Sequence, residues 1–383
     1  ENNIIYGQQA NGRFGTSIAL SGDGGRIVIV SRSGLTTGVA QTFQLIDNQW
    51  IKLTHDIVGL DVSDELGLSV SIDQGGNRLV VGSPGENRNI GSFSVYHFQE
   101  GKGWILKQTF SDDPISTIQP RFRIGEHVAL SGNGMILAGS YTESFPIIKP
   151  ILVNTSPSTW TKNRTIIKTF CRVKSGWISW GQDLAGKHFG DDFASSMALN
   201  DKGLVLVVGA PTAGNSEEGE AYVYGFDSDL SEWKQLGNAL TGALPNSQFG
   251  FAVDISGSGN RVIVGSYAHD SGRGLTRVYE YELGSQEWVC LGEDIIGSEP
   301  GIQSGYSVAI SNSGEYIIVG EKGVGAVKIY HWEDNLWQLS APIITGDQTY
   351  DGLGHAVAIS ALGTRVATGA PFYGTNSSGL VNI

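Results

Sequence analysis

The residues of this chain best suited to chemistry are carboxylates in short polar loops. Two acids roughly 5–10 Å apart across a cleft can share the work of glycoside hydrolysis, and Asp191-Asp192 or Asp61 with Asp64 are the pairs on offer. Adjacent acids in a loop leading into a strand usually point apart, so a carbohydrate-active enzyme ranks last among the functions considered. Asp61, Asp64, Glu65, Asp191, Asp192, His269, Asp270, Asp347 and Asp351 fall in four loops, 59–65, 187–192, 266–270 and 346–351, and the loop 215–220 adds further acids. Such a gathering suits a hydroxyl-rich or cation-assisted ligand. It is also what a solvated rim of turn-forming Asp and Glu looks like.

Other chemistries find little support. Seven histidines include no His-x-His or His-x-x-x-His pair, so local spacing offers no metal site. The full phosphate-binding motif Gly-x-x-x-x-Gly-Lys-Ser/Thr, the Gly-x-Ser-x-Gly nucleophile turn and His-Glu-x-x-His are all missing. With 25 basic against 38 acidic residues the net charge is −13. No basic cluster of the kind that grips a phosphate backbone is visible, which argues against a nucleic-acid partner. No apolar run reaches the ~18 residues of a membrane span, and nothing at the start reads as a signal peptide, which a processed secreted chain also lacks.

The elements that must position these residues come from a repeat. Segments like Phe14-Gly-Thr-Ser-Ile-Ala-Leu-Ser-Gly recur with anchors near 14, 66, 124, 193, 249, 304 and 353. Each copy reads as four strands. The first alternates small and large residues (Ser17, Ile18, Ala19, Leu20), which suits a crowded central axis with its large face packed on a neighbouring sheet. After a glycine turn the second strand is continuously apolar, as in Arg261-Val-Ile-Val-Gly, and so buried on both faces. A third strand such as Ala221-Tyr-Val-Tyr follows. The fourth opens with Trp50, Trp104, Trp177, Trp233, Trp288 or Trp337 and ends as in Asp294-Ile-Ile-Gly.

Four-stranded units at a period near 50 residues define a β-propeller, here one seven-bladed domain over residues 1–383. The last copy stops inside its third strand, and Ile4-Ile5 match the end of a fourth. The N-terminal strand is therefore expected to complete the C-terminal blade and close the ring. His127 and His355 begin innermost strands, where they could approach the channel, although such residues are more often packed or water-bonded. Residues 141–176 break the repeat and are expected to be an irregular insertion in the third copy. It carries Trp160 and the basic residues Lys149, Lys162, Arg164, Lys168, Arg172 and Lys174. That positive stretch could serve a subunit contact or an anionic-glycan contact, or be an ordinary loop.

The Phe14-Gly, Phe249-Gly, Val208-Gly-Ala-Pro211 and Thr368-Gly-Ala-Pro371 segments resemble the FG-GAP repeats of integrin-α-like N-terminal propellers, in the variant found in secreted and surface tandem-repeat proteins. The resemblance covers the chain except residues 141–176 and implies the propeller fold and an extracellular role. The family's Asp-x-Asp-x-Asp-Gly calcium loop is not matched: the corresponding turns are Ser21-Gly-Asp-Gly-Gly, Asp73-Gln-Gly-Gly-Asn, Asn200-Asp-Lys-Gly and Ser360-Ala-Leu-Gly. None offers the spaced oxygen ligands that calcium needs, so no cofactor is expected.

Asn154, Asn163 and Asn376 are glycan acceptor sites by sequence and point to a secreted or cell-surface protein. Cys171 and Cys290 lie in blades that are not neighbours and are expected to be free, buried thiols. The sequence thus suggests a non-catalytic extracellular propeller that holds a protein or glycan partner on its loop face. The alternative is a structural subunit of an extracellular assembly.

Overall fold

A computed structural model of the chain describes residues 4–32, 37–53, 55–112, 121–146, 161–348 and 350–383. Each repeat forms one small antiparallel sheet, and the seven sheets stand around a common axis with their first strands innermost. The fifth blade is representative, running outward as Ala252–Ile255, Arg261–Ser266, Leu275–Glu282 and Glu287–Cys290. Its inner strand behaves as the alternation predicts. Val253 and Ile255 are buried, whereas Ala252 and Asp254 keep partial exposure. Val262, Ile263 and Val264 of the second strand are 0 % exposed, because neighbouring blades cover both faces. The apolar clusters mix residues of adjacent blades, Val207 with Val262 or Ile29 with Ala367, so the cores lie between blades.

The ring closes as expected. Ile4, Ile5 and Tyr6 pair with Asn382, Val381 and Leu380, and the N-terminal strand becomes the outer strand of the seventh blade. No helix among the described residues is long and apolar enough to cross a membrane.

Two sequence features acquire a physical reason. The tryptophans of the fourth strands brace neighbouring blades: Trp233 Nε1 donates to Thr169 Oγ1 at 2.9 Å, Trp288 Nε1 to the Leu236 carbonyl at 3.0 Å and Trp337 Nε1 to the Leu291 carbonyl at 2.9 Å. The glycine ending the second strand lets backbones touch. A Cβ on Gly209 would stand 1.9 Å from the carbonyl oxygen of Gly250 in the next blade, so the Val-Gly and Phe-Gly segments of adjacent repeats need each other.

Three details differ from expectation. The fourth strand is broken in five blades, its Ile-Gly end forming a separate two-residue strand on the third strand, as Leu240–Thr241 does. The described part of 141–176 is regular, because Ile136–Pro146 and Thr161–Val173 extend the second and third strands into one long hairpin; Asn154 and Trp160 lie outside the described residues. Both cysteines are free, but Cys290 is exposed rather than buried and Cys171 is partly buried.

Candidate functional site

The small faces of the seven inner strands enclose a channel of about 480 Å³, within the usual range of small-molecule sites. Its wall carries Ala19, Ser71, Ala129, Ala198, Ala309 and Ala358 at one level, with Asp254 at the equivalent place in the fifth blade. Polar side chains at such positions accept free N–H groups from the next blade's inner edge, as Ser71 Oγ does from Leu130 and Ser196 Oγ from Val253, both at 3.0 Å. Asp254 does the same, accepting from Ile310 N and from Ile255 N at 2.9 Å each. Its burial outweighs these bonds and pushes the carboxyl up to about 6.

The two ends of the channel are unlike. At the end of the first-to-second strand turns, backbone bonds of 2.8–3.1 Å run once around the ring. They pass from Gly22 to Gln74, Gly132–Asn133, Asp201, Gly257, Asn312, Ala361 and back to Gly22. Inside this collar the Asp201 carboxylate accepts from Asn312 Nδ2 at 2.9 and 3.0 Å and from Gln74 Nε2. These residues belong to the fourth, sixth and second blades, so the bridge crosses the axis and bars that end.

The opposite end is the mouth. One residue per blade stands two places after each repeat anchor: Thr16, Leu68, Glu126, Ser195, Phe251, Tyr306 and His355. No two are alike. The residue just before each anchor has left-handed φ in every blade, and only the seventh places a glycine there. The others are Arg13, Glu65, Arg123, Asp192, Gln248 and Gln303, held in a conformation that is costly for side-chain-bearing residues.

One side of the mouth is cationic. Arg123 Nη2 lies 2.9 Å from Glu126 Oε1 and 3.1 Å from Glu65 Oε2, and Arg32 Nη1 lies 3.5 Å from Glu65 Oε1. Arg13 sits over Phe372 with its guanidinium carbon 5.3 Å from the ring centre, and Lys322 Nζ is 4.0 Å from that of Tyr306. Neither Arg13 nor Lys322 has a carboxylate partner among the described residues. Burial, helped by Lys322, Arg32 and Arg13, lowers His355 to about 4 and keeps its imidazole neutral. Aromatic rings continue the arc, with Phe251, Tyr267 and Tyr306 packed at 4.5–5.4 Å between centres.

Beside this arc a cavity of about 310 Å³ opens between the third, fourth and fifth blades. It shares His127, Ser195 and Phe251 with the channel wall and adds Glu126, Asp192 and Thr212. Asp192 is exposed at the cavity rim, and partial desolvation with the nearby Asp191, Glu126 and Glu217 raises it above an ordinary aspartate, against the opposing bond from Thr212. A carboxylate shifted towards neutrality suits a general base. Ser195 Oγ and His355 Nδ1 are buried and lack a partner among the described residues, which is unusual for buried polar atoms.

Several of the sequence-predicted acids are engaged in local structure. Asp64 accepts from Leu60 N and Asp61 N at 2.8 and 2.7 Å, and Asp61 from Val62 N at 2.8 Å. Asp191 accepts from His188 N and Phe193 N, and Asp351 from Gln348 N. Asp191 and Asp192 do part, the first buried and the second at the cavity. Asp270 pairs with Arg273 at 3.4 Å, His269 is partly buried and Asp347 is exposed on the rim. Of the whole set, Glu65 and Asp192 reach the mouth; His127 lines the channel wall and His355 lies beside the cationic arc. Arg13, Arg32, Arg123, Lys322 and Tyr306 were missed; aligning the seven repeats and reading the columns beside the anchor would have found most of them. Among the described residues no cluster of three or more His, Cys, Asp or Glu side chains could hold a metal ion.

No family model and no curated protein matches the chain. Solved structures do. A Bacteroides uniformis protein described as a 6-phosphogluconolactonase shares 11 % identity at a TM-score of 0.58, over 87 % of this chain and 86 % of its own. A periplasmic gluconolactonase of Pseudomonas aeruginosa shares 12 % at 0.54, over 91 % and 97 %. Hydrazine synthase of Kuenenia stuttgartiensis shares 14 % at 0.57, over 98 % and 96 %. At these identities the likeness carries the fold alone. Against the expectation of a non-catalytic adhesion module or structural subunit, propellers described as lactonases share the architecture over nearly the whole chain, so the fold does not single out a non-catalytic role.

Proposed function

We propose that this propeller is an enzyme acting on a small anionic, hydroxyl-rich substrate at the channel mouth, and that its reaction is hydrolysis of a lactone or related ester. The observation that carries this reading is the convergence of Arg13, Arg32, Arg123 and Lys322 at the mouth of a one-ended channel, in a chain whose net charge is −13. Two of those cations lack a carboxylate partner among the described residues, so an anionic group gains their attraction without displacing one. The aromatic arc offers apolar faces to a sugar ring. The lactonase-like neighbours make the ester class the natural first test.

In this reading Asp192 takes a proton from a water whose oxygen adds to the lactone carbonyl. The tetrahedral oxyanion collapses with cleavage of the ring C–O bond, the proton passes to the departing alkoxide, and a free hydroxy acid leaves. Ser195 Oγ, with no partner of its own, is available to donate to the oxyanion. Acid release from gluconolactone and 6-phosphogluconolactone, measured against spontaneous opening, tests the proposal. Asp192→Asn should lower kcat by about 10²-fold or more, and Lys322→Ala should raise KM for the phosphorylated substrate. Rates no faster than spontaneous opening, or saturable binding of the product acid without turnover, would strike the hydrolase reading.

The FG-GAP kinship and an extracellular location belong to the same proposal. They are supported by the Phe-Gly and Gly-Ala-Pro segments and by the exposure of Asn163 and Asn376. Glycopeptide mapping of the native protein decides the location: glycans on these asparagines support it, and bare asparagines at full coverage count against it.

A further inference from the structure

A second concave site lies away from the mouth, in the groove between the second and third blades, with a volume of about 340 Å³. The second blade supplies Arg78, His97 and Lys107 to its wall, and the third supplies Arg172 and Lys174. Lys174 sits in the turn between third and fourth strands, and Arg78 opens a second strand. Both places belong to the face opposite the mouth.

The chain builds this groove deliberately. In five blades the fourth strand breaks after its tryptophan half, but in the second it runs unbroken from Gly103 to Phe110. The register passes from Leu106 opposite Tyr96 to Gln108 opposite Val95, leaving Lys107 as a bulged residue. A bulge removes a side chain from the strict alternation and re-aims it. Gln108 then ties the two blades together, its Oε1 accepting from Trp177 N at 3.0 Å. Arg172 and Lys174 are the end of the positive stretch noticed in the sequence, and the long hairpin delivers them to the same wall.

Charge here is uncompensated. Arg78 pairs with Asp73 at 3.0 Å, whereas Lys107, Arg172 and Lys174 have no carboxylate partner among the described residues. His97 registers the crowding, its pKa lowered by burial and by Arg78, Lys107 and Arg172. Like charges gathered in a concave site repel one another until an anion joins them.

We propose that this groove is a binding site for a multivalent oxyanion, a phosphate- or sulfate-bearing small molecule or saccharide, held by Lys107, Arg172 and Lys174. It is independent of the mouth and of the hydrolysis assigned there. Titration calorimetry of the full chain with inorganic pyrophosphate and with a disulfated disaccharide provides the test. At least one probe should bind saturably, weaken between about 50 and 300 mM salt, and lose about tenfold or more in affinity in the double variant Arg172→Gln/Lys174→Gln. Arg123→Ala at the mouth should leave that affinity unchanged. Preference for one probe identifies the ligand's oxyanion. Should the double variant fail to fold, Lys107→Gln alone, at an exposed position, must still weaken binding several-fold. The proposal falls if neither probe saturates by about 10 mM, if the groove variants bind as the parent does, or if the mouth variant abolishes binding equally.

Discussion

Asparagine in place of Asp254 tests whether the channel is a closed, poorly hydrated space or an open pore. Asp254 is the one carboxylate at its level of a wall otherwise made of Ala and Ser. Burial pushes it to about 6, against the pull of two backbone N–H bonds. A carboxyl whose pKa is higher in the folded than in the unfolded protein makes the fold resist ionisation. Stability is therefore greatest below pH ~4, falls as the pH rises between ~4 and ~6, and is level above ~7. The full difference from an ordinary aspartate is worth about 3 kcal/mol. Asparagine is neutral throughout and nearly isosteric, but its single acceptor oxygen forfeits one N–H bond, at about 1 kcal/mol regardless of pH. Urea denaturation of both proteins in steps from about pH 4 to 8 should thus show the variant trailing by up to about 1 kcal/mol at the acid end. At the alkaline end the variant should lead by about 2 kcal/mol. Other titrating groups cancel in the difference. Parallel pH profiles would refute the argument, since they require Asp254 to be hydrated as if in bulk water and the collar to leak. A companion variant, Asn312→Ala, cuts part of the bridge to Asp201 and should shrink the swing.

The same denaturations apply to His355→Gln. A histidine lowered to about 4 contributes stability that is whole above pH ~6.5 and is lost as the pH falls towards 4, so the parent should weaken relative to the variant only on the acid side; no such divergence would put the imidazole in open water. Trp233→Phe removes the bond to Thr169 and part of a ring that is 3 % exposed. It should cost about 2 kcal/mol, seen as a lower urea midpoint at unchanged slope, and a midpoint equal to the parent's would deny the tryptophans their bracing role. Gly209→Ala sets a Cβ against a backbone carbonyl at 1.9 Å and should destabilise by more than about 3 kcal/mol; soluble expression with the parent's melting temperature would overturn the close approach.

Much of the architecture was legible because it rests on local constraints repeated seven times. The continuous apolar second strand, the glycine that ends it, the tryptophan of the fourth and the orphan Ile4-Ile5 segment each have one structural solution in a ring. The break in the fourth strand was not legible, since both halves keep a strand-like composition and only the pairing to the third strand separates them. The site was harder to read for a related reason. Asp61, Asp64, Asp191 and Asp351 attract attention as grouped acids, yet short loops leading into strands need acceptors for their own N–H groups, and these carboxylates fill that need. The mouth is assembled from residues some 50 positions apart, one per repeat, with no motif within any single copy.

That assembly bears on what the mouth can recognise. Positions beside the axis divide into two kinds. Where backbones of adjacent blades meet, the repeats agree: the residue after the anchor is glycine in six copies and Ala194 in the other. One place further on, all seven differ. Closing the ring requires only the first kind of agreement. If the second kind served solubility alone, small polar residues would suffice; and at a third position, just before the anchor, nothing would then favour arginine, glutamate or aspartate in a left-handed conformation that glycine adopts freely, as Gly352 does. A ring with cations over one arc, edge-packed aromatics over the next and carboxylates beside them has lost its sevenfold symmetry in chemistry while keeping it in backbone. Under the proposed function, such a surface would discriminate among orientations of a small asymmetric ligand with charge at one end and an apolar face along its side, the form of a sugar acid bearing a phosphate or carboxylate.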